Sequence, residues 1–192
     1  QLKTWFGKLL TWILNSPQGQ EEARQANNHS TAHDAQVIAF AMYAGNMKVA
    51  REVINAIPRK RLFTQIEPDG KQPHELRRTL AFGYSQFNLS HFIDIFMMAR
   101  KIGISIDNAT SEDGRSFYKA MDFLVPYVGK DVKAWPYQQI SEWKYKQQEF
   151  CKDLYRTFLL NPECKDYLKL YKTHRIIDWK DRFNLLWMEA DD

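Results

Sequence analysis

Apolar residues recur at helical spacing from the first turn of the chain: Leu2, Trp5, Phe6, Leu9, Leu10, Ile13 and Leu14 share one side, and Ser16-Pro17 ends the run. A polar stretch, 18–27, leads to Asn27-Asn28-His29-Ser30. From His33 or Asp34 to Ala44 the pattern is apolar nearly all round, which marks a helix buried on several sides. Gly45-Asn46 breaks it, and Met47 to Ile57 reads as a shorter amphipathic helix closed by Pro58. Residues 58–74 read as an irregular excursion, briefly extended at RLFTQI and turning at Glu67-Pro68-Asp69-Gly70. From about Gln86 to Lys101 a second deeply buried helix is expected. Further helices are expected over 115–128, bent at Pro126, and over 142–159, 163–172 and 178–188, with Trp135-Pro136-Tyr137 in a loop. No hairpin signal, sustained alternation or short repeat interrupts this pattern, so the chain reads as a single all-α domain over 1–192. Buried helices alternate with amphipathic ones, as in toroidal helix-hairpin architectures.

Composition changes this picture little. The 192 residues carry 27 basic and 23 acidic side chains, a net +4 that suits an anionic partner without demanding nucleic acid. No run reaches the ~18 apolar residues of a membrane span. Cys151 and Cys164 can pair or stay free, and Gln1 opens on an amphipathic helix without a cleavage site. The first helix can lie on a membrane surface, but a core-facing role is the better reading. Aromatics make up 14% of the chain, which is compatible with sugar stacking, although bulky helix packing is the better reading for any single aromatic.

The candidate chemistry begins at Asn27-Asn28-His29-Ser30. Read alone, this is a helix N-cap. Asn28-His29-Ser30, Asn88-Leu89-Ser90 and Asn108-Ala109-Thr110 also fit a glycosylation sequon, a pattern common by chance. His29 and His33, four apart, can meet on one helix face as metal ligands. The helical zinc-hydrolase motif needs Glu directly after the first His, however, and Ser30 stands there. Fifty residues on, ELRRTLAFGYSQFNL sets Arg77 and Tyr84 seven apart, about 10 Å along a helix and on one face if the segment is continuous. An amide, an imidazole, a guanidinium and a phenol together can hold an anion and move a proton beside it. No nucleophile-elbow pattern competes, and Glu67, Asp69 and Glu75 lack the facing arrangement of a glycosidase pair.

Taken together, these stretches resemble the alginate lyase family of polysaccharide lyases. The matching text is NNHSTAHDAQ at 27–36, QIEPDGKQPHELRRT at 65–79 and YSQFNL at 84–89, with WFGKLLTWILNSPQG and WPYQQI at 135–140 also similar. The resemblance spans most of the chain, and its order and spacing are specific where a lone Asn-Asn-His is not. It implies an (α/α) toroid with a cleft for an acidic polysaccharide, cleaved by β-elimination without a cofactor or metal. The polymer it implies is a 1,4-linked polyuronate, alginate first, with glucuronan as the alternative. A non-catalytic helical module that binds acidic polysaccharide is the alternative of another class. The resemblance also implies a periplasmic or secreted protein with no nucleic-acid or membrane partner.

Residue by residue, the resemblance places the catalytic set on Asn28, His29, Arg77 and Tyr84. It places Asn27, His33, Gln65 and Glu67 along the substrate, together with Gln72, Arg78 and Trp135. Asn28 and Arg77 would neutralise the uronate carboxylate as charge spreads into it when the C5 proton leaves. Tyr84 or His29 would take that proton, and Tyr84 would protonate the departing 4-oxygen. A guanidinium beside a phenol favours the tyrosinate, which suits a phenol to act as base. Asn28 is the firmer assignment as carboxylate clamp, and His29 as base the softer one. Two departures stand out. Ser30, Ala32 and His33 occupy positions where the family commonly has Gly, Trp and Tyr, which alters sugar stacking. Family members are about twice this length, so the chain is expected to be the later part of the toroid, with the N-terminal half needed for the full cleft.

Overall fold

The computed structural model describes residues 1–176 and 180–187. Its regular elements are helices: α1 (Leu2–Asn15), α2 (Pro17–Arg24), α3 (Asn28–Ala44), α4 (Met47–Ile57), α5 (Phe63–Gln65), α6 (Pro73–Leu76), α7 (Ala81–Lys101), α8 (Phe117–Leu124), α9 (Trp143–Leu160), α10 (Lys165–His174) and α11 (Arg182–Trp187). Two isolated β-bridges, Leu80 with Gln139 and Thr110 with Ser116, are the extended pairings among the described residues. The expected helix over 178–188 is represented by α11, with residues 178, 179 and 188 outside the described residues.

The two helices that position everything else are α3 and α7, which pack directly on each other. On α3, Val37, Ile38 and Ala41 are fully buried. On α7, Phe82, Leu89, Phe92, Ile93 and Ile95 are. Helices α1, α2 and α4 pack around α3, while α6, α8 and α9 pack around α7, and α10 lies on α9. A large core gathers on α7 and runs into Phe117, Met121, Phe150 and Leu154. A smaller one joins Leu10, Ile13, Val37, Ala41 and Ala50.

Local chemistry explains the boundaries. Ser16 Oγ accepts the Gly19 N–H at 3.1 Å and Pro17 opens α2, so the chain turns sharply from α1. Gly19 sits so close to α1 that a Cβ there would lie 1.9 Å from the Ile13 carbonyl oxygen; only glycine fits. Gly45, at φ 85°, takes the left-handed position that ends α3.

Three elements differ from expectation. Helix α3 begins at Asn28 rather than His33 or Asp34, because Asn27 caps it and the polar Ser30 and Thr31 face a buried amide network. RLFTQI is helical, a π-turn over Pro58–Leu62 followed by α5. It buries Leu62 and Ile66 in the main core, and Arg61 reaches Asp34 at 2.7 Å. Arg77 and Tyr84 do not share a helix: α6 ends at Leu76, Arg77–Leu80 form a break, and α7 starts at Ala81. Residues 138–140 fill that break. The Gln138 carbonyl accepts from Ala81 N–H and Ile140 N–H donates to Thr79, while Gln139 Oε1 accepts from Phe82 and Gly83 N–H. Pro126 falls in a 3-10 turn that follows α8.

Beneath α3 and α7 runs a ladder of buried amides. Thr31 Oγ1 and Asn88 Nδ2 both donate to Gln65 Oε1, at 3.0 and 2.9 Å. Asn88 Nδ2 also donates to Gln72 Oε1 at 2.8 Å, and Gln72 Nε2 to the Ser85 carbonyl at 3.1 Å. Gln65 Nε2 completes the tie to α3 through Ser30 Oγ at 3.1 Å. Nearly every polar atom of this ladder has a partner, which is what makes its burial tolerable.

Candidate active site

A cleft of about 420 Å³ opens where α1, α2, α3 and the start of α7 meet. Trp12, Ile13, Gln18, Gly19 and Glu22 form one wall. Asn28, His29, Ala32, His33 and Gln36 form the second, and Arg78, Tyr84 and Phe87 close the third side. Tyr84 and Phe87 also line an adjoining depression of about 230 Å³ that runs to Lys146. Ala32 and Gln36 are shared with a further depression beside His91 and Lys101. The three depressions adjoin one another along α3 and α7 through these shared residues.

Asn28 is the first residue of α3, 3% exposed, with its orientation set by Glu75: the backbone N–H donates to Oε1 and Nδ2 to Oε2, each at 2.7 Å. Burial raises the pKa of the Glu75 carboxyl, and the Asn28 donors, Arg78 and His74 work against that rise. His29, exposed at the rim, places Nδ1 2.8 Å from Glu22 Oε2. With a carboxylate accepting there, the ring proton sits on Nδ1 and Nε2 carries the lone pair. His33 lines the cleft with Nδ1 held at 3.1 Å by Asp34 Oδ1, and its Nε2 is a buried atom without a partner among the described residues. Burial works to raise Asp34, but His33, Arg61 and Lys60 outweigh it and hold that carboxylate below its usual range.

Arg78 lies with its guanidinium carbon 4.0 Å from the centroid of the Tyr84 ring. Among the described residues no carboxylate comes within 4.0 Å of this guanidinium, so its donors remain open to an anion. Arg77, one residue earlier, is exposed and does not line the cleft. The break between α6 and α7 is the reason: it turns the second arginine of the pair, rather than the first, toward Tyr84.

The structure therefore brings Asn28, His29, His33, Arg78 and Tyr84 together and leaves the other candidates elsewhere. Asn27 is the α3 cap, its Oδ1 accepting from His29 N–H at 3.2 Å. Gln65 and Gln72 are buried in the amide ladder below the cleft. Glu67 stands at the turn, 3.6 Å from Arg115. Trp135 is 5% exposed and packs edge-on against Phe82 and Tyr127, a core plug rather than a sugar platform. Two residues went unnoticed in the sequence, Glu22, which holds His29, and Trp12, which is 53% exposed on the cleft wall; Glu75, weighed there only as a glycosidase carboxylate, holds Asn28. Trp12 follows Trp5 by two helical turns, and an aromatic repeated on the outer face of α1 is the signal that could have found it. Among the described residues no group of three or more His, Cys, Asp or Glu is placed to hold a metal ion. Both cysteines are free, and burial pushes the Cys151 thiol up to about 12. Among the described residues no helix is long and apolar enough to cross a membrane.

Fold and cleft together define an all-α helix-hairpin protein, part of an (α/α) toroid, with a groove lined by Asn28, His29, Arg78 and Tyr84. The chain belongs to the alginate lyase family, whose model matches residues 1–135. The crystal structure of an alginate lyase from Bacteroides ovatus superposes with a TM-score of 0.93 at 46% identity, over 97% of this chain. The match covers 49% of that protein, so the chain spans about half the length of its structural relative. No curated protein matches the chain.

Proposed function

We propose that this chain carries the catalytic cleft of a polysaccharide lyase that cleaves a 1,4-linked polyuronate, alginate first, by β-elimination. The observation that carries the reading is the convergence of Asn28, His29, Arg78 and Tyr84 on one groove, with Arg78 unopposed by any described carboxylate. Family membership and the alginate lyase from Bacteroides ovatus support the substrate class.

The chemistry follows from the donors. A uronate carboxylate docks against the Arg78 guanidinium and the Asn28 amide, so the charge that moves onto it as the C5 proton departs meets fixed positive potential. In place of Arg77, Arg78 takes the neutralising role. The base is His29 through Nε2, or the Tyr84 oxygen, according to which face of C5 carries the proton. The C5–H electron pair forms the C4–C5 double bond, the C4–O bond breaks, and the Tyr84 hydroxyl gives its proton to the leaving oxygen. Water takes no part. The helices that complete the toroid would supply the opposite side of the groove, and a periplasmic or secreted setting fits a polymeric substrate.

The test is to incubate the protein with polymannuronate, polyguluronate and glucuronan in parallel and follow the ultraviolet absorbance of the unsaturated uronate end. A rise with one polymer supports the reading and names the substrate. Binding without a rise on any of them assigns a carbohydrate-binding module instead.

A further inference from the structure

We propose that Glu75 is a positioning residue for the elimination, fixing which end of the Asn28 amide faces the uronate. The proposal rests on the reading of Asn28 as carboxylate clamp. Glu75 is 1% exposed, buried behind Asn28 rather than lining the cleft itself, and uses both carboxylate oxygens on one partner: Oε1 accepts the Asn28 backbone N–H and Oε2 the side-chain Nδ2, each at 2.7 Å.

Two features separate this from an ordinary helix cap. A cap needs only one acceptor for the first free N–H of α3, and a neutral Gln, Asn or Ser supplies it at no electrostatic cost. Glu75 instead buries a carboxyl group directly behind Asn28, where a negative charge opposes the uronate that the proposed function brings to that residue. What an ionised carboxylate adds is that it has no hydrogen to donate. It can accept on both oxygens only if Asn28 turns its nitrogen end inward, so the amide cannot reverse. One Nδ2 hydrogen is committed to Glu75, and the other is left for the substrate carboxylate. Arg78, close enough to act on Glu75 electrostatically, offsets the local charge from the side of Tyr84.

Glu75→Gln is nearly isosteric and still accepts the backbone N–H, but it presents a donor where Oε2 stood, which drives the Asn28 amide to turn its carbonyl inward. The experiment compares wild type, Glu75→Gln, Asn28→Ala and the double variant on the polymer that gives turnover. Glu75→Gln is expected to lower kcat about 100-fold, the scale of a lost charge-stabilising donor, with KM changed far less and the thermal midpoint within ~5 °C of wild type. Asn28→Ala is expected to fall at least as far, and the double variant no further than Asn28→Ala, because Glu75 acts only through that amide. Full turnover in Glu75→Gln, or an equal loss from it in both backgrounds, overturns the proposal and leaves Asn28 as clamp intact. Unchanged turnover in Asn28→Ala removes the clamp reading and the proposal with it. If Glu75→Gln does not fold, Glu75→Asp, which keeps the charge but is too short to reach both donors, is compared in the same two backgrounds by the same criteria.

Discussion

Glu22 holds His29 across the junction between two helices: its Oε2 lies 2.8 Å from Nδ1, fixing the tautomer whose Nε2 is an acceptor. The two residues belong to different helices, α2 and α3, and both line the cleft. Glu22→Ala should lower kcat about 10-fold while Glu22→Gln, whose amide oxygen still accepts from Nδ1, stays near wild type. Steady-state kinetics on the two variants decide it; equal losses would mean that charge rather than tautomer matters.

Arg78 and Arg77 make an internal comparison. Arg78→Ala removes a guanidinium that no described carboxylate occupies, so kcat/KM should fall by about 100-fold or more. Arg77→Ala, at an exposed position outside the cleft, should stay within about threefold of wild type, the effect of a surface charge on a polyanionic ligand. The reverse order would show that the break after α6 is arranged differently when substrate is bound.

Tyr84→Phe keeps the ring under Arg78 and deletes the hydroxyl. Turnover should drop by about 1,000-fold with binding of the polymer preserved, because general acid–base transfer is lost and stacking is not. Isothermal titration with polymer beside the absorbance assay separates the two; loss of binding would assign Tyr84 to substrate holding.

Far from the cleft, Asp153 gives a stability prediction. Burial pushes its carboxyl up to about 6, although Arg156 and Gln86 favour the ion, with Gln86 Nε2 at 2.7 Å. A carboxyl raised in the folded state contributes stability that is present below its unfolded value and is lost as pH rises through about 6. Relative to Asp153→Asn, the wild type should lose on the order of 3 kcal/mol between pH ~4 and pH ~7. Asp34 and Asp94, both held low, act only below that window. Denaturant titrations across it should show a slope in the difference between the two proteins; a flat difference would count against a protonated Asp153.

The helical framework was legible because α4 and the later parts of α3 and α7 bury apolar residues at regular spacing, whereas α1 buries only Leu10 and Ile13 of its apolar set and leaves Leu2, Trp5 and Leu14 exposed. The starts of α3 and α7 were not. Ser30 and Thr31 look like loop residues in sequence, and the amides of Gln86 and Asn88 do not announce their partners, yet all four are buried and bonded to residues 23 to 67 positions away. The same blindness misplaced Gln65 and Gln72, whose amides serve that network. Arg77 and Arg78 are indistinguishable by type, and only the helix break fixed by residues 138–140 chooses between them. Trp135 carries no sign of its burial, because the aromatics around it come from three separate segments, α7, the end of α8 with its following turn, and α9.

The amide ladder has a consequence for how the site tolerates change. Gln65 and Gln72 bond to α3 and α7 through donors and acceptors whose spacing matches only one longitudinal register, so a slip of either helix by a single residue would orphan several buried polar atoms at once. Asn28 and Tyr84 are thus indexed to each other through this buried network, independently of the surface segments that join them. Mutations on the outer faces of α3 and α7 can accumulate without drifting the two apart, whereas a single polar-to-apolar change at Gln65 would release the alignment while touching nothing that faces the cleft.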